Sequence, residues 1–114
     1  MPQYAALIYT DDLAWDSPEN MEQMPGYDDF GKAAAAVIRG GAALYDTSTA
    51  TTVRVKGGKG GDVVTSDGPF AETKEVLTGF FLIEAADLDE AIGWAQQIPG
   101  AWRGGIELRP VVQM

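Results

Sequence analysis

The sequence predicts an α+β fold in which a ferredoxin-like, split βαβ arrangement forms an antiparallel sheet with helices packed on it. Segments with the residue types and alternation of strands and helices follow the order strand, helix, strand pair, strand, helix, strand. The chain has 114 residues, and 46% of them are hydrophobic, enough for one core. We therefore expect residues 1–114 to form a single domain.

The first half of the chain predicts one strand and two helical segments. Tyr4–Tyr9 is apolar on both alternating faces, which is typical of a strand buried on both sides. Ser17-Pro18 favours a helix start, because serine caps amides and proline suits the first helical position. Pro25-Gly26 is expected to interrupt that helix. A second helix is expected from Tyr27 until Gly40-Gly41 ends it.

The middle of the chain predicts strands and a hairpin. A second strand is expected from Ala42 to Tyr45. Thr51–Lys56 and Asp62–Ser66 have strand composition and flank the glycine-rich run Gly57–Gly61, which predicts a hairpin. That run is not a Walker phosphate loop, because a strand follows it where a helix is required. Thr78–Ala85 then predicts another strand with two apolar faces.

The last quarter of the chain predicts a helix and an edge strand. Asp87 and Glu90 have the spacing of a capping box, and an apolar stripe follows them as far as Ile98. The final strand is expected over residues 106–112, where Pro110 indicates an edge position or a bulge.

Composition excludes several kinds of site. The chain has no cysteine and no histidine, so disulfides, thiolate metal sites and Ser-His-Asp or Cys-His nucleophilic sites are impossible. The formal net charge of −9 disfavours binding to nucleic acids and to anionic membranes. No apolar run approaches the length of about 20 residues that spans a membrane, and the N-terminus lacks signal-peptide features. We expect a cytoplasmic protein.

The run Asp67–Glu75 is the strongest candidate site. Asp67 begins an Asp-Gly-Pro turn, and Phe70 is expected to anchor that turn to the core. The run then supplies two carboxylates, a hydroxyl and an ammonium in Glu72, Thr73, Lys74 and Glu75. These groups can pair with each other, bind a polar ligand or supply an acid or base if burial raises a carboxylate pKa. The alternative is a structural turn followed by a solvated charged segment.

Two further features can be interpreted either as binding sites or as ordinary solvated surface. Arg54, on the predicted hairpin, is the best basic candidate to hold an anionic substrate, against an outward-facing arginine. Asp11, Asp12 and Asp16 form an acidic loop, but they lack EF-hand spacing, so a solvated loop is favoured over a cation site.

The chain resembles the DGPF branch of the YCII-related family. The resemblance rests on the run Asp67–Glu75 and on segments spread over the whole chain, namely the opening strand, Thr51–Arg54, Gly79–Glu84 and Leu88–Ile92. It implies a homodimeric α+β barrel, in which two ferredoxin-like sheets pack face to face around a central pocket. It also implies a His and Asp pair, of which only the acidic member has a counterpart here, in Asp67. Asp46–Ala50 is shorter than the matching stretch of the family.

Three hypotheses for the function follow. The first is an enzyme that acts on a small organic molecule in the dimer pocket without metal or cofactor, with Asp67 as the catalytic candidate. Arg54 and Glu72–Glu75 would then bind the substrate. The second is a non-catalytic ligand-binding or regulatory module, for which the resemblance implies a link to extracytoplasmic-function sigma factors. The third is a purely structural run that closes the dimer.

Overall fold

The structure is a computed structural model that describes residues 1–114. It contains six strands, four helices and one 3-10 turn at Thr47–Thr49. The strands are β1 (Gln3–Asp11), β2 (Ile38–Ala43), β3 (Thr51–Lys56), β4 (Asp62–Asp67), β5 (Glu75–Glu84) and β6 (Gly105–Pro110), and the helices are α1 (Pro18–Met21), α2 (Met24–Ala33), α3 (Leu88–Ala95) and α4 (Gly100–Arg103).

Four strands form an antiparallel sheet in the order β2-β5-β1-β6. The two central strands are β1 and β5, whose pairing runs from Gln3 opposite Glu84 to Asp11 opposite Glu75. A register shift between Ile8 and Tyr9 interrupts this pairing. The predicted α+β class and antiparallel sheet are confirmed.

Helices cover one face of this sheet, which we call the closed face. Alternate residues of β1, among them Ala6 and Ile8, are buried there against Phe30 of α2. The ring of Phe30 packs on that of Phe81 from β5, with centroids 5.0 Å apart. Ile83 continues the same apolar layer toward α3. The closed face is therefore the core of the protomer.

The other face, which we call the open face, carries the intervening residues of the same strands. Leu7 lies opposite Phe80, and Ala5 lies opposite Leu82. From Gln3 to Thr10 on β1, the residues of this face are half-buried, whereas their neighbours on the closed face are buried. Since paired residues point to one face of a sheet, the open face is apolar along the middle of β1 and β5 and has no covering layer. Its edge strand β6 adds the charged residues Glu107, opposite Leu7, and Arg109, opposite Ala5.

The strands β3 and β4 form a separate two-stranded hairpin. Its turn contains Gly57, Gly58 and Gly60, all with φ between +80° and +85°, a backbone conformation that glycine adopts without strain. Nearly every residue of both strands is exposed. The hairpin and the thin sheet give a Cα radius of gyration of 16.0 Å, against about 13 Å for a compact chain of this length.

The region from Pro25 to Gly41 differs from the prediction. Pro25 does not break a helix but lies in the first turn of α2, where its missing amide donor costs nothing. That helix ends at Ala33, and Gly40-Gly41 lies inside β2. A Cβ atom on Gly41 would lie 2.5 Å from the carbonyl oxygen of Phe80, so this glycine permits close strand pairing and does not end a helix.

The predicted helix N-caps and the edge position of Pro110 are confirmed. The Ser17 hydroxyl accepts a hydrogen bond from the amide of Asn20 at 3.3 Å, and the Asp87 carboxylate accepts one from the amide of Glu90 at 2.9 Å. Pro110 is the last residue of β6, at an edge of the sheet. None of the helices is long and apolar enough to cross a membrane.

Candidate functional site

A cavity of about 420 Å³ lies on the closed face, between the sheet and the segment that joins β1 to α2. We call it the inner cavity. Of its 19 lining residues, 12 are hydrophobic, so its interior suits the apolar part of an organic molecule. Its lining includes the side chains of Thr10, Leu13, Trp15, Met24, Tyr27, Ala43, Leu44, Tyr45, Asp46, Val76, Thr78 and Phe81.

Few polar groups reach the interior of this cavity. The hydroxyl of Thr10 donates to that of Thr78 at 3.3 Å, and the Thr78 hydroxyl donates to the carbonyl of Ile8 at 3.4 Å, near the register shift of β1. Burial raises the pKa of Tyr27, and a backbone hydrogen bond with Gly100 partly opposes this effect. Tyr27 is therefore a neutral phenol at physiological pH.

The rim of the inner cavity carries two aromatic rings and a carboxylate. The rings of Trp15 and Tyr45 meet edge to face, with centroids 6.4 Å apart and an interplanar angle of 82°. Asp46 follows Tyr45 in the chain and lines the same cavity. The Ser48 hydroxyl donates to its carboxylate and holds the pKa of Asp46 below the usual value. Asp46 is therefore ionised at physiological pH.

Hydrogen bonds join the two chain segments that carry this rim. Asp12 accepts from the backbone amide of Thr47 at 3.0 Å and also from the Thr47 hydroxyl, which joins the segment after β1 to the segment after β2. The Asn20 side-chain amide donates to the carbonyl of Ala14 at 2.8 Å. These contacts fix Trp15 close to Tyr45, although the two residues are far apart in sequence.

A second pocket of about 550 Å³, which we call the outer pocket, opens beside Tyr9, near the end of β1 on the open face. Part of the Asp67–Glu75 run lines it, through Pro69, Phe70, Ala71 and Thr73. Five residues line both the outer pocket and the inner cavity, namely Leu44, Tyr45, Asp46, Val76 and Leu77. The two spaces are therefore separated by one layer of side chains.

The candidate residues chosen from the sequence lie around the hairpin and the outer pocket. Asp67 is the last residue of β4, opposite Thr51. The guanidinium of Arg54 lies 4.6 Å from the ring centroid of Phe70. Neither Asp67 nor Arg54 lines the inner cavity or the outer pocket.

The four polar residues of the run, Glu72 to Glu75, differ in whether they line a pocket. Thr73 lines the outer pocket, and its hydroxyl donates to the carbonyl of Glu75. Glu72 and Lys74 are exposed and outside both linings. Glu75 begins β5 opposite Asp11 and lies outside both linings as well. The structure therefore brings one member of this set, Thr73, to a pocket.

The expected burial of Phe70 is wrong, since its side chain is 75% exposed. The turn before it extends from the hairpin, away from the core of the closed face, and Phe70 packs under Arg54 instead. Two hydrogen bonds fix the turn: the Gly68 amide donates to the Ala50 carbonyl at 2.8 Å, and the Thr52 hydroxyl donates to the Gly68 carbonyl at 2.9 Å.

Sequence reasoning missed the inner cavity and its rim. The acidic loop of Asp11, Asp12 and Asp16 was weighed as a cation site, but no role was predicted for Trp15, the aromatic residue inside it. A tryptophan within an acidic loop is the sequence feature from which this rim could have been found. No group of three or more Asp and Glu side chains is arranged to hold a metal ion.

Comparison with known proteins gives two findings. The family described as the YCII-related domain matches residues 3–114. An uncharacterized protein of Rhizobium meliloti (strain 1021) is 36% identical over 118 aligned positions, which cover 95% of this chain and 90% of that protein.

Proposed function

This chain belongs to the YCII-related family, and from that premise we propose that it is a small-molecule-binding protein whose ligand occupies the inner cavity. The observation that carries the proposal is the cavity itself, about 420 Å³ in volume and mostly apolar in its lining. Pockets for small ligands have volumes of roughly 300–1,000 Å³ and a few polar groups on apolar walls. The inner cavity has both properties.

The titratable groups of the cavity favour binding over acid–base catalysis. A general acid or base works best with a pKa near the operating pH. Burial raises the pKa of Tyr27 further above neutrality, and the Ser48 hydroxyl lowers the pKa of Asp46 further below it. Tyr27 is therefore suited to donate a hydrogen bond to a ligand, and Asp46 is suited to present a fixed negative charge.

A substitution that fills the inner cavity with a larger side chain tests whether a ligand binds there. Ala43 lies opposite Gly79, which in turn lies opposite Ile8 on the closed face, so its side chain points toward the inner cavity. We expect the neutral fluorescent probe N-phenyl-1-naphthylamine to bind saturably, and Ala43→Phe to weaken that binding at least tenfold. Ala33→Phe makes the same change on the exposed surface of α2 and should leave binding unchanged. Equal binding by both variants would place the probe elsewhere and contradict the proposal.

We further propose that two protomers pair through their open faces. The strand order β2-β5-β1-β6 is that of a ferredoxin-like sheet, and the pairing would form a dimeric α+β barrel. The accessible surface of the protomer is 7580 Å², against about 6,000 Å² for a monomeric protein of this mass. The excess is larger than the roughly 800 Å² that each partner buries in a standard interface. Part of this excess belongs to the exposed hairpin, and part belongs to the half-buried apolar residues of the open face, which a second protomer would cover.

A catalytic role for the Asp67 region is the second candidate function. It is favoured by the outer pocket, which the neighbouring residues Pro69, Phe70 and Thr73 line beside the open face. In the proposed dimer the second sheet would close this pocket, with Arg54 and residues 72–75 around it. The test is to incubate the protein with a metabolite extract and to use mass spectrometry to detect a compound that is consumed. If the Asp67→Asn variant still consumes that compound, the Asp67 carboxylate is not catalytic. The assignment to the DGPF branch and the sigma-factor link remain predictions.

A further inference from the structure

The rim of the inner cavity has a geometry that selects between classes of ligand. The nearly perpendicular rings of Trp15 and Tyr45 form a corner, and their side chains keep 51% and 66% exposure. Asp46 lies next to this corner and lines both the inner cavity and the outer pocket. Aromatic faces attract cations, and an ionised carboxylate adds to that attraction.

The charges around the cavity have one sign. No lysine or arginine lines the inner cavity or the outer pocket, and Asp46 is the one charged residue of either lining. The whole chain has a net charge of −9. A carboxylate or phosphate at this rim would therefore meet the like charge of Asp46 and gain no cationic partner, which disfavours an anionic ligand.

We propose that the ligand of the inner cavity is an organic cation, an amine or quaternary ammonium compound with an apolar body. The cationic head lies at the corner of Trp15 and Tyr45 beside Asp46. The apolar body extends inward against Leu13, Met24 and Phe81. This inference rests on the proposed function and specifies the class of ligand.

The position of the corner makes this arrangement favourable. A fully buried charge is expensive, but a cation at an exposed rim keeps part of its hydration while its body leaves water. The Ser48 hydroxyl keeps Asp46 ionised, so the carboxylate is present over the whole physiological pH range. The hydrogen bonds from Thr47 to Asp12 hold the two sides of the rim together before a ligand arrives.

The test compares three compounds of similar shape. Benzyltrimethylammonium is a cation, neopentylbenzene is its neutral isostere, and 4-phenylbutyrate is an anion with a similar apolar body. Each compound competes with N-phenyl-1-naphthylamine bound to the native protein. We expect the cation to displace the probe at a concentration about tenfold lower than the neutral isostere. We expect the anion to be the weakest competitor.

Variants locate the selectivity at the rim. Asp46→Asn and Trp15→Leu should each remove most of the tenfold advantage of the cation, while neopentylbenzene changes little. Tyr45→Phe keeps the ring and should retain the advantage, whereas Tyr45→Leu should lose it. Asp62→Asn is the matched control, because it removes one negative charge at the hairpin, outside both linings. Circular dichroism of each variant verifies the fold.

The outcomes separate this inference from the proposed function. Displacement that is strongest for the cation and depends on Asp46 and Trp15 supports both. Probe binding with equal displacement by all three compounds, or with preference for the anion, overturns the cation assignment and leaves the proposed function standing. If the neutral probe does not bind the native protein, the proposed function fails and this inference fails with it.

Discussion

The two faces of the four-stranded sheet are built from alternate residues of the same strands, yet only one is covered. On β1, Ala6 and Ile8 are buried beneath the helices, while Ala5 and Leu7 between them remain half-exposed on the opposite face. Both sets are apolar. Since a solvated sheet face is usually polar, the apolar residues of β1 and β5 on the open face support the proposal that a second protomer covers them.

The difference separates two roles within one sheet. The closed face supplies the core of the protomer and, where that packing becomes incomplete near the end of β1, the inner cavity. The open face supplies the surface for which we propose a second protomer. Changes on the closed face should therefore alter the stability of each protomer, and changes on the open face should alter association.

The largest expected effect comes from comparing one phenylalanine on each face. Phe30→Ala removes a fully buried ring from the core and should lower the free energy of unfolding by about 3–5 kcal/mol. That loss should not depend on protein concentration. Phe80→Ala acts on the open face, so its cost should grow with protein concentration as dimers form. Chemical denaturation at several concentrations measures both, and an equal, concentration-independent cost would erase the distinction between the faces.

An introduced charge gives the next largest effect. Leu7→Glu places a carboxylate on the open face and should weaken dimerisation by roughly 100-fold, since an unpaired buried charge costs several kcal/mol. Leu88→Glu is the matched control, because Leu88 is an exposed leucine on α3. Sedimentation equilibrium measures the association of both. A native chain that stays monomeric at high concentration would refute pairing through the open face.

The smallest effect concerns pH and lies wholly on the closed face. Burial raises the pKa of Tyr27 above its ordinary value of 10.0. The folded protein therefore keeps the phenol proton when the unfolded chain has lost it. This contribution to stability is complete below pH 10 and declines as the pH rises through the higher pKa of the folded state. Urea denaturation between neutral and alkaline pH should show this decline, and Tyr27→Phe should reduce it. If the stability of Tyr27→Phe declined equally at alkaline pH, groups other than Tyr27 would cause the decline.

Much of the fold was predictable because it depends on local signals. The caps at Ser17 and Asp87, the glycine turn of the hairpin and the edge proline Pro110 all act within a few residues of chain. The structure of the Gly40-Gly41 region was not predictable, because glycine can either end a helix or allow two strands to pair closely. The backbone of Phe80, on another strand, decides between these roles.

The candidate site was less predictable, because its residues meet only through tertiary structure. Trp15 and Tyr45 become neighbours because the segments after β1 and β2 leave the same end of the sheet, on either side of β5, and are joined by Asp12 and Thr47. Nothing in the local sequence of either residue specifies this. Phe70 illustrates the converse, since an aromatic side chain suggests burial but the turn extends from the hairpin and leaves it exposed. The assignment of Asp67, Arg54 and residues 72–75 to a site remains a prediction.

The central claim, that the inner cavity binds a small organic molecule, is tested most directly by methyl NMR of methionine-labelled protein. The chain has four methionines, of which Met24 lines the cavity and Met21 lies on α1 outside both linings. During titration with benzyltrimethylammonium or N-phenyl-1-naphthylamine, we predict a saturable shift of the Met24 signal, an unchanged Met21 signal, and loss of the shift in Ala43→Phe. A Met24 signal that stays constant at saturating ligand, or that shifts equally in Ala43→Phe, would contradict the account.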